Sequence, residues 1–134
     1  MDFKKIYKHD VFANETGAIL DELTDERAMM HLTVEPRHLN GGRVVHGGVV
    51  FLLADISMAA MANQHNPISV SIQSDIRFLA TAVEGDVLTA EAVLVYGRKR
   101  MTNCRVTISN QRGETIAIAE GMFHLAGSIK VEQE

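Results

Sequence analysis

Residues 46–64, HGGVVFLLADISMAAMANQ, form the longest apolar stretch of the chain and hold a single charge, Asp55. Good helix formers over that length predict a helix buried on most sides. Gly47 and Gly48 stand at its start, where backbone N–H groups have no partner inside the helix. The cluster NQHNP, residues 63–67, ends it. Elsewhere the pattern has a period of two. Across residues 27–34, Ala28, Met30, Leu32 and Val34 share one side, which predicts a strand with one buried face. Residues 17–23 read as a preceding strand and residues 24–26 as the polar turn of a hairpin. Beyond Pro67, alternation places Ile68, Val70, Ile72, Ile76 and Phe78 on one face and Ser69, Ser71, Gln73, Asp75 and Arg77 on the other. Further strands are predicted at 87–96, 101–109 and 115–125, with turns at 84–86, 97–100 and 110–113.

The remaining segments carry less pattern. Residues 1–16 show no clear period and are expected to lie over the fold as a short helix or loop. Residues 35–45 are loop, with Pro36, Asn40, Gly41 and Gly42 as breakers. The tail from Gly127 is polar and is expected to fray. The plan is thus two strands, one long helix and four consecutive strands on short turns. Short turns make neighbours antiparallel, and one helix on an antiparallel sheet is an α+β architecture.

Composition narrows the function classes. A chain of 134 residues suits one domain, here expected over 1–134, without internal repeats. The net charge of −4 and the lack of a basic block argue against a nucleic-acid partner. The lone Cys104 allows no intramolecular disulfide, which points to a reducing, cytoplasmic setting. It alternates with Val106 and Ile108 and is read as buried and inert. The N-terminus, MDFKKIYKHD, lacks the apolar segment of a secretory signal. Because Asp55 interrupts the apolar run, the helix is expected to be too short to span a bilayer. His9, His31, His65 and His124 have no metal-ligand spacing, so no metal is expected.

Asp55 changes the picture most. Asp is a poor helix former, and an ionised carboxylate is costly to bury. Its helical neighbours Phe51, Leu52, Met58 and Ala59 include no base. A solvent-facing or loop-capping Asp is the plain alternative; the apolar surroundings favour a chemical role.

The segment HLNGGRVVHGGVVFLLAD, residues 38–55, sets Asn40 six residues before His46-Gly47-Gly48 and ends on Leu53-Ala54-Asp55. This pattern resembles the hotdog-fold acyl-CoA thioesterases of the phenylacetate-degradation, PaaI-like family. The order of elements extends the resemblance over most of the chain. It implies an antiparallel sheet wrapped around one central helix. It also implies hydrolysis of an aromatic, phenylacetyl-type or medium-chain acyl-CoA without a cofactor, and assembly as dimers and often homotetramers. It points further to Ser71 as a residue that holds the attacking water. Basic residues are frequent in the family at the turn occupied here by Arg98, Lys99 and Arg100, where they would meet the phosphates of coenzyme A; a solvated hairpin tip is the alternative. Two departures bear on loop shape and substrate preference. Arg43 stands where many members have Gly, and Ala80-Thr81 where many have Pro.

Physical roles follow for these residues. Free N–H groups at a helix N-terminus suit the oxygen of a thioester under attack. Gly47 has no side chain to keep substrate away, and Gly48 beside it is a further substrate contact. Asn40 can add an amide donor or position water. Asp55 can act as general base or as nucleophile. The imidazole of His46 invites a role in proton transfer, but orientation of the loop is the favoured role; His38 is expected to stabilise the same loop. Gly47 and Asp55 stand roughly 12 Å apart along one helix, too far to serve the two ends of one thioester. A site shared across a two-fold interface resolves this. The rival readings are a hotdog enoyl-CoA hydratase or dehydratase and a non-catalytic acyl-CoA-binding protein.

Overall fold

The structure, a computed structural model, describes residues 3–66 and 68–126. Two short helices, α1 (Phe3–Tyr7) and α2 (Val11–Thr16), lead into strands β1 (Ile19–Leu23) and β2 (Arg27–Thr33). A 3-10 turn at Pro36–His38 precedes the long helix α3 (Gly47–His65). Strands β3 (Ser69–Phe78), β4 (Val87–Arg98), β5 (Met101–Ser109) and β6 (Thr115–Leu125) follow. The six strands make one sheet in the order β1-β2-β4-β5-β6-β3, every neighbouring pair antiparallel.

Helix α3 lies across one face of this sheet. Leu53, Met58 and Met61 from the helix join Met30, Leu32, Leu88, Ile108 and Phe123 from the strands in the buried core. The strands also offer Ala28, Ala90, Ala92 and Ala117, all fully buried, so the helix can approach closely. A sheet curled around a single long helix is the hotdog fold, an α+β architecture as expected. Cys104 is buried in this core, and burial pushes its thiol up to about 12.

Four expectations are corrected by the structure. First, residues 3–16 hold two short helices, and the first strand starts at Ile19 rather than Gly17. Asp10 caps α2 by accepting the Ala13 N–H at 2.9 Å. Gly17 ends the helix at φ 102, a left-handed conformation that excludes it from a strand. Second, the basic turn is shorter than predicted. Gly97 and Arg98 belong to β4, and only Lys99 and Arg100 connect it to β5.

Third, the strict alternation along β3 fails. A bulge at Ile72 shifts the register, with Ser71 opposite Phe123 and Gln73 opposite Met122. Ser69, Ser71, Ser74, Ile76 and Phe78 therefore face the helix. Val70 points away from it, and Ile72 sits in the bulge with more than half its surface exposed. Fourth, at 19 residues and mean hydropathy 1.2, α3 is long and apolar enough to cross a membrane, contrary to the expectation from its interrupted apolar run. Its packing against the sheet is that of a core helix. The predicted stop at Pro67 and the tail from Gly127 lie outside the described residues.

Candidate active site

Four of the site candidates, Asn40, His46, Gly47 and Gly48, lie at or just before the start of α3. His46 is the N-cap of this helix, and its Nδ1 accepts the Gly48 N–H at 2.9 Å. Its own N–H donates to the His38 carbonyl at 2.7 Å, and its carbonyl accepts the Val49 N–H at 2.9 Å. Among the described residues, this leaves the Gly47 N–H without an acceptor. The Phe78 ring, from the end of β3, lies over Gly47 at 3.4 Å from where a Cβ would stand. The sequence pattern contained Phe78 only as a core position, because nothing local links it to a glycine thirty-one residues earlier.

The preceding loop is built around Asn40. Its Oδ1 accepts the Gly42 N–H at 2.8 Å and the Val44 N–H at 3.4 Å, and its N–H donates to the Val44 carbonyl at 2.8 Å. The carboxamide oxygen is thus committed to the loop, and the Nδ2 donor is unengaged among the described residues. Arg43 sits at φ 61, the left-handed region that glycine adopts without strain. A bridge between Leu39 and Val45 closes the loop beneath α3.

Asp55 lies two turns along α3, half-buried. It has no ion pair or hydrogen bond among the described residues. Burial raises its pKa above the ordinary carboxylate value, and the nearby carboxylate of Asp10, from the corner between α1 and α2, raises it further. Ser71 faces the helix, with its Oγ 3.2 Å from Ser74 Oγ. Ser74 was not anticipated as its partner. The bulge puts two serines three apart on one face, and no sequence signal marks a bulge.

Arg98, Lys99 and Arg100 lie at the opposite end of α3. Asn66, the C-cap of the helix, donates from Nδ2 to the Lys99 carbonyl at 2.6 Å. With Tyr96 and Met101 the three bases line a depression of about 390 Å³. One chain therefore brings Asn40, His46, Gly47 and Gly48 together. It sets Asp55 about 12 Å along the helix and the bases farther still. Among the described residues, no cluster of His, Cys, Asp and Glu could hold a metal ion.

A helix-terminal N–H at Gly47 and a half-buried carboxylate at Asp55, neither with a partner among the described residues, thus lie on the one long helix of a hotdog fold. The chain belongs to the thioesterase superfamily, whose family model matches residues 42–117. It is 31% identical to the acyl-coenzyme A thioesterase PaaI of Escherichia coli over 91% of this chain and 87% of that protein. The structure of the E. coli PaaI protein matches with a TM-score of 0.90 at 30% identity, covering 94% of this chain and 91% of that one. A Streptococcus pneumoniae thioesterase-like protein solved with coenzyme A shares the fold, with a TM-score of 0.85 at 23% identity over 94% and 98% of the two chains.

Proposed function

We propose that this protein hydrolyses acyl-CoA thioesters to the free acid and coenzyme A, with an aromatic, phenylacetyl-type or medium-chain acyl group. The observation that carries the reading is the pairing of a free helix-terminal N–H at Gly47 with an unpaired, half-buried carboxylate at Asp55 on one continuous helix. The Gly47 N–H receives the carbonyl oxygen as negative charge develops on it. Asp55 activates water or attacks the carbonyl carbon itself. Ser71 and the Asn40 carboxamide hold the water and substrate in line. His46, whose Nδ1 is occupied by the Gly48 N–H, orients the site. Kinship with the E. coli acyl-CoA thioesterase supports the carrier and the reaction.

The two ends of the reaction come from two copies of the chain. Strand β3 is an edge of the sheet, and Val70, Ile72, Phe78 and Leu79 along and just beyond it are exposed. An open edge with apolar side chains is a template for pairing with another strand. In the dimer proposed, two β3 edges join about a two-fold axis and each helix N-terminus meets the other chain's Asp55. Such a dimer, alone or paired into a tetramer, carries two equivalent sites. The basic turn lies roughly 16 Å along α3 from Asp55, a separation that the pantetheine arm of coenzyme A can bridge. Arg98, Lys99 and Arg100 then meet the phosphates. A cytoplasmic setting suits the reduced, buried Cys104.

The test is thiol release from a panel of acyl-CoAs. Wild type releases coenzyme A promptly. Asp55→Asn loses at least ~100-fold in turnover while still binding substrate and without a fall in melting temperature. Because ionised Asp55 is required, the acid limb of the rate profile lies above the ordinary carboxylate value of 3.8. Binding without thiol release would favour the non-catalytic reading, and loss of enoyl absorbance without free thiol a hydratase.

A further inference from the structure

The loop that delivers His46 and Gly47 is fastened to the end of α2, and His38 is the fastening. Its side chain is buried at 3% exposure. The Glu35 N–H donates to Nδ1 at 2.9 Å, and Nε2–H donates to the Thr16 carbonyl at 2.7 Å. Thr16 is the last residue of α2, where helix carbonyls lack partners of their own. Arg37 reaches the same place, donating from Nη1 to the Glu15 carbonyl and from Nη2 to Thr16 at 3.4 Å. Two loop side chains thus cap the end of α2. From His38 the connection to the site is short. Its carbonyl accepts the His46 N–H at 2.7 Å, and the next N–H along the chain is that of Gly47. This latch lies outside the region matched to the thioesterase superfamily.

We propose that His38 is a positioning residue for the carbonyl-binding N–H of Gly47, and that it makes α2 part of the catalytic apparatus; the functional part of this rests on the hydrolytic reading above. A donor aimed at developing charge acts chiefly in the transition state. Slack in the latch therefore lowers kcat and leaves KM in place.

The two arms of His38 can be separated. In His38→Asn, the side-chain oxygen stands near the place of Nδ1 and keeps the Glu35 contact only. In His38→Gln, the terminal amide stands near the place of Nε2 and keeps the Thr16 contact. The measurements are kcat and KM with an acyl-CoA that wild type turns over, the melting temperature, and amide hydrogen exchange at His46 and Gly48. The expected result for His38→Asn is a kcat lower by about tenfold or more, with KM within about twofold and faster exchange at both amides. His38→Gln recovers most of the kcat. A folded His38→Asn with unchanged kcat and exchange overturns the proposal. If neither variant folds, exchange in wild type decides. A His46 amide that opens together with Gly17 and Ala18 at the end of α2 supports the latch; a His46 amide that exchanges freely while those stay protected overturns it. Exchange does not depend on turnover, so a chain that hydrolyses no acyl-CoA fails the functional reading without silencing this test.

Discussion

Gly47 occupies the first helical position of α3, after an N-cap His46 at φ −66 and ψ 135. That position tolerates proline, because its N–H has no helical partner and the fixed φ of proline already suits a helix. The extended backbone of His46 is also the conformation that proline imposes on the residue before it. Gly47→Pro therefore deletes one N–H and little else, apart from a new contact with the Phe78 ring. The expected outcome is a loss of about 10²–10³ in kcat, typical of removing one oxyanion donor, with the melting temperature held. Steady-state kinetics and a thermal melt on the same preparation check both halves. Gly47 and Asp55 were legible from the apolar run and its start, and Asn40 and His46 from the motif of the family that the chain resembles. His38 was legible as a loop residue but not as a latch, since its partner Thr16 lies twenty-two residues away. Contacts over that distance leave no periodic trace.

At the level of elements, the strand–helix–four-strand order was readable, because each segment announces itself by its own period. The facing of β3 was not. A bulge adds one residue without changing the apolar content of the strand, so Val70 and Ile72 read as core and emerged on the surface. The segment between β3 and β4 is held by a single carboxylate that the pattern did not mark. Asp86 Oδ2 accepts the Val83 N–H at 3.0 Å, while Oδ1 accepts from Gln111 Nε2 at 2.8 Å and Arg112 Nη1 at 3.2 Å. The Ala82 carbonyl then accepts the Val45 N–H at 2.8 Å, carrying the support to the start of α3. The Val83 N–H, followed by Gln111 and Arg112, holds the Asp86 pKa below 3.8. A depressed folded value means that this stabilisation is fully present above the unfolded value and disappears as pH falls through the folded one. Asp86→Ala is expected to cost about 2–3 kcal/mol at neutral pH, from the lost hydrogen bonds. Its deficit against wild type should shrink in strong acid. Denaturant melts of both proteins at neutral and acid pH measure the difference.

For the molecule as a whole, the separation of Gly47 from Asp55 leads to a complementation experiment. A chain carrying Asp55→Asn keeps its helix terminus, and a chain carrying Gly47→Pro keeps its carboxylate. In the proposed dimer, either variant alone is disabled at both sites. In a mixed dimer whose sites are shared, one site combines the intact Gly47 of the first chain with the intact Asp55 of the second, and the other site combines the two lesions. Equal mixing with free exchange gives about half mixed dimers, each with one working site of two, so about a quarter of wild-type activity should return. The recovery should rise from zero at the rate at which subunits exchange, and it should be absent when the variants are kept apart by a membrane permeable only to substrate. Sites contained within single chains would give no recovery at any mixing ratio, because every chain in the mixture lacks one half of the machinery.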